Sequence, residues 1–218
     1  MEKNGITEII FVIDKSGSMC GLESDTIGGF NSMIAKQKKQ KGKCFVSTVL
    51  FNDKSELIHD RIEISDVKPL TEKEYTVNGC TALVDAVGDA IKHISDVHRY
   101  IREEDVPEHT MFVITTDGLE NASHSYSSDE IKEMIEKKKK ESGWEFIFIG
   151  ANIDAVETAG RYGIDEDRAV NYVHDSEGTE LLYECACETV SKLRKGSAIG
   201  KSWCEAVEKD FKKRHRNK

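Results

Sequence analysis

Two carboxylates and three hydroxyls stand out in this sequence by type and spacing. Asp14, Ser16 and Ser18 alternate in "IDKSGSM", with Gly17 between the serines. Thr81 follows "NGC", and Asp117 lies between "FVITT" and Gly118. All five are hard oxygen donors, a set that favours Mg2+ or Mn2+ over zinc or copper. In a loop leaving a strand, residues two apart can face one point, and a glycine between them lets the backbone fold closely around it. Two carboxylates balance the charge of a divalent ion and the hydroxyls add none. If water separates a carboxylate from the ion, the ion stays electrophilic and can accept a carboxylate from a partner. No activating base stands beside the serines, so they read as neutral ligands rather than nucleophiles. Each piece alone has a simpler reading: Asp-x-Ser-x-Ser as a cap or Asx-turn, Asp-Gly as a turn, Thr81 as a helix N-cap. Their order, each at the same edge of the fold expected below, points to one site.

The elements that must position them alternate along the chain. Strands are expected over 8–13, 44–52, 56–64, 110–116 and 144–150, those at 8–13 and 110–116 buried, with a short last strand over 168–173. "DKS" between the second and third of these in chain order predicts a hairpin, hence one antiparallel edge strand. Helices are expected over 25–41, 81–101, 129–142, 154–163 and 177–196. Ser127 and Glu130 form a capping box for the third. Gly28 and Gly29 weaken the first helix and predict close packing against a neighbour. Continuous apolar strands mark a sheet covered on both faces. The expected class is α/β: one doubly wound, mostly parallel domain over 1–196, with 197–218 as a basic tail or extra helix. Ligands of such sheets bind beyond the carboxyl ends of the strands, which is where Asp14, Thr81 and Asp117 fall.

Composition narrows the function. The 218 residues carry a net charge of −9, which argues against a broad nucleic-acid surface. The basic end, Lys209 to Lys218, reads as a solvated terminus. No segment is apolar enough for a membrane helix, and the first residues lack a signal-like apolar stretch, so a cytoplasmic chain is expected. The six cysteines show no Cys-x-x-Cys pair and no disulfide-like rhythm; most are expected reduced, with Cys185 and Cys187 as helix packing rather than a zinc site. An enzyme is not expected. A phosphatase of the haloacid-dehalogenase type needs a second acid at the position of Ser16, and neither serine stands in Gly-x-Ser-x-Gly. "GSAIGKS", Gly196 to Ser202, is one residue short of a phosphate-binding loop and follows a helix instead of a strand. No Gly-x-Gly-x-x-Gly follows the first strand, which disfavours a dinucleotide.

In "DKSGSM", "TIGGFNSMI", "GCTALVDAVG", "TTDGLENAS" and "GANIDAV" the chain resembles von Willebrand factor type A domains, and most of all the stand-alone bacterial members. The resemblance spans about residues 7–195. It implies that Asp14, Ser16, Ser18, Thr81 and Asp117 form a complete metal-ion-dependent adhesion site holding Mg2+ or Mn2+. Ser16, Ser18 and Thr81 or Asp117 would contact the ion, with Asp14 acting directly or through water. The ion would complete its shell with an acidic side chain of a partner protein. An alternative role is an accessory subunit of an ATPase-linked, chelatase-like complex or of a stress-response system resembling tellurium-resistance proteins. Lys15, Met19, Glu120, Asn121, Asn152 and Asp154 are candidates for the partner-binding rim, and Asp85 for support of Thr81. The oligomeric state is not legible.

Overall fold

The computed structural model describes residues 5–215; the first four residues, and the last three of the expected basic end, lie outside it. Six strands form one sheet: β1 (Thr7–Asp14), β2 (Cys44–Phe51), β3 (Ser55–Glu63), β4 (His109–Thr116), β5 (Glu145–Gly150) and β6 (Ala169–Asn171). Their order is β3-β2-β1-β4-β5-β6. Only the β2–β3 pair is antiparallel. This is the doubly wound α/β sheet with an antiparallel edge that the sequence predicts.

Six helices cover the sheet: α1 (Glu23–Lys38), α2 (Leu83–Tyr100), α3 (Ser128–Ser142), α4 (Ala155–Arg161), α5 (Ser176–Leu193) and α6 (Glu205–His215). β1 is buried along its whole length, and its alternate side chains feed two cores. Ile9, Phe11 and Ile13 pack with Phe30, Met33 and Ile34 of α1 and Leu182, Tyr183 and Val190 of α5. Ile10 and Val12 pack with Val87, Ile91 and Ile94 of α2 and Ile131 and Ile135 of α3. This division follows from the period of two in a strand. It also places the helix after β1 on one face and the helix after β4 on the other. The chain order reverses between these two strands, which leaves a crevice beyond their carboxyl ends.

Local signals explain most boundaries. α1 starts two residues before the expected helix and ends three before it, because the lysine-rich end turns toward β2. The Ser127–Glu130 capping box is formed, and α3 closes on Gly143 in the left-handed region. Of the two glycines of α1 only Gly29 meets a neighbour: a Cβ there would lie 2.2 Å from the Tyr183 ring, whereas Gly28 faces open space.

One cysteine expectation needs correction. Cys185 does not merely pack: it is bonded to Cys204, nineteen residues on, and so staples the segment leading into α6 onto α5. The spacing carries no motif because the fold, through the turn at 194–203, brings the two residues together. Cys20 and Cys80 are free and exposed; Cys44 and Cys187 are free and buried. The Gly196–Ser202 segment lies in this turn with Ile199 buried in the core, and no strand leads into it. α6 is anchored by buried Val207 and by Arg214, which pairs with Asp175, Glu177 and Asp210. Thiol titration in denaturant should find four reactive cysteines before reduction and six after. Six before reduction would contradict the staple, and also report the reducing environment in which the cytoplasmic expectation places the chain.

Candidate functional site

β1 delivers Asp14 to the crevice as a fully buried residue. Its carboxylate stays there because two donors meet it. The Ser16 N–H donates to Oδ1 at 2.7 Å and the Thr116 hydroxyl to Oδ2 at 2.6 Å. The first bond is an Asx-type turn, so part of the simple reading of Asp-x-Ser-x-Ser is correct. The second ties β1 to β4 across the switch point. Below it, the Tyr75 hydroxyl donates to the Asp14 carbonyl at 2.6 Å.

The turn aims Ser16 and Ser18 together, with their Oγ atoms 3.0 Å apart. The Ser18 hydroxyl in turn donates to Asp117 Oδ1. Thr81 arrives on a loop laid against the first one: Gly17 N–H donates to the Gly79 carbonyl at 3.1 Å, and Asn78 N–H to the Lys15 carbonyl at 3.0 Å. Gly118 closes the cradle. A Cβ at that position would lie 3.1 Å from Ser18 Oγ and 3.4 Å from Thr81 Oγ1, so the missing side chain leaves the two hydroxyls room to approach the β4 loop. The five oxygen-bearing residues singled out in the sequence therefore lie on adjoining loops beyond the carboxyl ends of β1 and β4.

The electrostatics are unusual for a merely structural cluster. Burial raises the carboxyl pKa of Asp14 above the ordinary range, against the opposing pull of its Thr116 and Ser16 hydrogen bonds. Burial also raises that of Asp117, against Ser18 and His174. Among the described residues no Lys or Arg pairs with either carboxylate. Lys15, the nearest cation in sequence, is turned away to Glu56 at 2.9 Å. Buried charges are ordinarily paired or bound to metal. Asp117 Oδ2 faces the His174 imidazole, with Nδ1 at 3.0 Å, instead of a Lys or Arg.

These residues fit a hard divalent ion. Two donors on adjacent vertices of an octahedron, each about 2.1 Å from the ion, lie about 3.0 Å apart; the Ser16–Ser18 oxygen separation is 3.0 Å. The described residues contain no group of three or more His, Cys, Asp or Glu side chains suited to a metal, so any ion here depends on the hydroxyls.

The outer residues are placed differently from the rim suggested by sequence. Glu120 points inward and accepts from the N–H groups of Val84, Ala122 and Ser123 and from the Ser123 hydroxyl. Asn121 accepts from Thr81 N–H at 2.9 Å, and its own N–H donates to the Thr81 carbonyl. Asp85 accepts from the N–H groups of His124, Ser125 and Tyr126. These three clamp the loop after β4 to the start of α2 and fix Thr81 relative to Asp117. Met19 is buried. Asp154 caps α4 by accepting from Glu157 N–H. Asn152 is exposed, in the left-handed region at φ 56°.

Two residues near the site escape sequence reasoning. Leu119 is 63% exposed, two positions past Asp117. His174, just past β6, places Nδ1 3.0 Å from Asp117 Oδ2. The one available signal for His174 was its position at the carboxyl end of the last expected strand.

No family model matches the sequence, and no curated protein matches it. Solved structures do. A PilB minor pilin variant from Streptococcus sanguinis superposes with a TM-score of 0.62 at 13% identity, covering 91% of this chain and 64% of that one. The vWF domain of the type V pili tip protein Mfa5 from Porphyromonas gingivalis gives 0.63 at 11% identity, covering 89% and 97%. Manganese-loaded TRAP protein from Plasmodium vivax gives 0.55 at 18% identity, covering 83% and 72%. The chain thus spans less than two thirds of the pilin it matches. At these identities the likeness establishes a von Willebrand A-like fold. Among the described residues no helix is long and apolar enough to cross a membrane.

Proposed function

We propose that this chain is a metal-dependent protein-binding domain. Asp14, Ser16, Ser18, Thr81 and Asp117 hold one Mg2+ or Mn2+ at the switch point. When bound, the ion supplies an open coordination position for a carboxylate of a partner protein. One observation carries this reading: two buried carboxylates face three hydroxyls, and among the described residues no Lys or Arg pairs with either. Left alone they oppose folding, and a divalent ion offsets them both. The manganese in the TRAP protein is consistent with that chemistry.

The chain's own residues divide the work. Asp14, braced by Thr116, and Asp117 supply charge. The serines and Thr81 supply neutral donors and so leave the ion electrophilic. Glu120, Asn121 and Asp85 hold the two loops in register. Exposed Asn152 and Leu119 flank the opening and offer a polar and an apolar contact beside the partner's carboxylate. Neutral hydroxyls between two carboxylates suit capture of an acidic group by the bound ion.

Immobilised wild-type chain should retain proteins in Mn2+ or Mg2+ that are released by EDTA and by an excess of polyglutamate but not of polylysine. The Asp14→Ala chain should not retain them. Retention of the same proteins by both chains, with or without EDTA, would contradict the reading.

A further inference from the structure

We propose that Asn78-Gly79 is a self-modification site: the Gly79 backbone nitrogen attacks the Asn78 side-chain amide, and the loop that carries Thr81 converts slowly to aspartyl and isoaspartyl forms. This does not depend on the metal site proposed above.

The turn between β2 and β3 brings two groups to this pair. Asn52 donates a side-chain N–H to Asn78 Oδ1 at 2.7 Å. That bond polarises the Asn78 amide carbonyl and stabilises the oxyanion that forms when its carbon is attacked. Asp53 faces Gly79: a Cβ there would lie 2.1 Å from Asp53 Oδ1. Covalent geometry then puts that oxygen within about 4.6 Å of the Gly79 nitrogen, in reach of its proton directly or through one water. Among the described residues nothing accepts from the Gly79 N–H, so the nucleophile is free. Gly79 holds a φ of 76° and has no side chain to shield its nitrogen. Asn78 and Gly79 are both exposed, so water reaches the product.

The reaction needs only water. Asp53 takes the Gly79 amide proton as the nitrogen bonds to Asn78 Cγ. The bond from Cγ to the side-chain nitrogen breaks, and ammonia leaves with that proton. The product is a five-membered succinimide. Water opens the ring at either carbonyl. One opening leaves aspartate in a normal main chain; the other routes the main chain through the β-carbon as isoaspartate. The position gives this change its reach. Asn78 N–H donates to the Lys15 carbonyl at 3.0 Å, and the Gly79 carbonyl accepts from Gly17 N–H at 3.1 Å. These two bonds lay the Thr81 loop against the turn of Ser16 and Ser18. An isoaspartyl link adds one main-chain carbon between them, so both cannot keep their register.

The test is to hold the native wild-type chain in 18O-labelled water at mildly alkaline pH and map its peptides by mass spectrometry over time. Asn78 should convert with one solvent oxygen incorporated, and isoaspartate should be the larger product. Conversion should be at least about tenfold faster than in the chain unfolded in urea. Asp53→Ser should slow the native rate about tenfold or more. Amide exchange at Gly17 should quicken in the converted chain. Native Asn78 that stays intact, or converts no faster than in urea, would overturn the proposal, and that comparison uses wild type alone. An unchanged native rate in Asp53→Ser would overturn the role of Asp53. Unchanged exchange at Gly17 after conversion would overturn the coupling to the neighbouring turn.

Discussion

Asp117→Asn is expected to abolish the thermal stabilisation given by Mn2+ or Mg2+ and, at the same time, to raise the melting temperature of the metal-free chain. The two effects share a cause. Burial lifts the Asp117 carboxyl pKa above its unfolded value, against Ser18 and His174, so folding disfavours the charged carboxylate. The sign follows from proton linkage: with the folded pKa raised, the native state binds more protons, and the associated destabilisation is relieved as pH falls through the folded pKa. An amide removes the charge at every pH. It also removes the ion's anchor. In wild type, an ion at a hundredfold its Kd should add about 2.7 kcal/mol, or about 5–10 °C for a chain of this size. Differential scanning calorimetry with and without EDTA checks both halves. A variant that melts lower without metal and still responds to it would refute the argument.

The second large effect lies at the opposite end of β1. Glu8 is buried with no exposed surface; Arg61 Nε lies 3.2 Å from its Oε1, and His98 Nε2 bonds its Oε2. Arg61 holds this position with a positive φ of 47°, which an arginine adopts only under constraint. Its guanidinium also stacks on Phe45 and donates to the Asp105 carbonyl. Arg61→Gly relieves the backbone, a gain of up to about 1 kcal/mol, but leaves Glu8 buried with His98 alone. Breaking a buried pair on one side costs about 3–5 kcal/mol. The net loss should be about 3 kcal/mol, read as a fall of about 6–12 °C in Tm. Mn2+ affinity should not change, because Glu8 and Asp14 stand about 20 Å apart along the strand. Unchanged stability, or lost metal binding, would show that the two ends of β1 are not separable in this way.

What the sequence made legible was whatever local pattern encodes. The run from Ile9 to Ile13 is apolar at every position because both faces are covered, and that gave β1 and the doubly wound class together. The hairpin turn at 53–55 gave the antiparallel edge. Asp14, Ser16 and Ser18 were legible because they lie in one turn, and Thr81 and Asp117 because each follows or opens a well-marked element. The misreadings involve partners remote in sequence. Glu120 and Asn121 have the residue types of a binding rim, but their partners are backbone N–H and C=O groups of α2 and its approach, which no side-chain pattern displays. A lone histidine in "NYVHDSEG" carries no periodicity, and its approach to Asp117 depends on Gly178 letting the loop press against α5. Cys185 and Cys204 meet only because the chain turns back after α5. Glu8 falls inside the strand 8–13 that was expected to be buried, but its partner Arg61, more than fifty residues on, was not legible.

Asp14 and Asp117 are proposed to hold one divalent ion jointly. Calorimetric titration of EDTA-stripped chain with Mn2+, in wild type, Asp14→Asn and Asp117→Asn, tests it most directly. Wild type should bind one equivalent, and each variant should lose about a hundredfold or more in affinity, since each removes one of the two charges that balance the ion. Equal affinity in all three chains, or no binding by wild type, would contradict it.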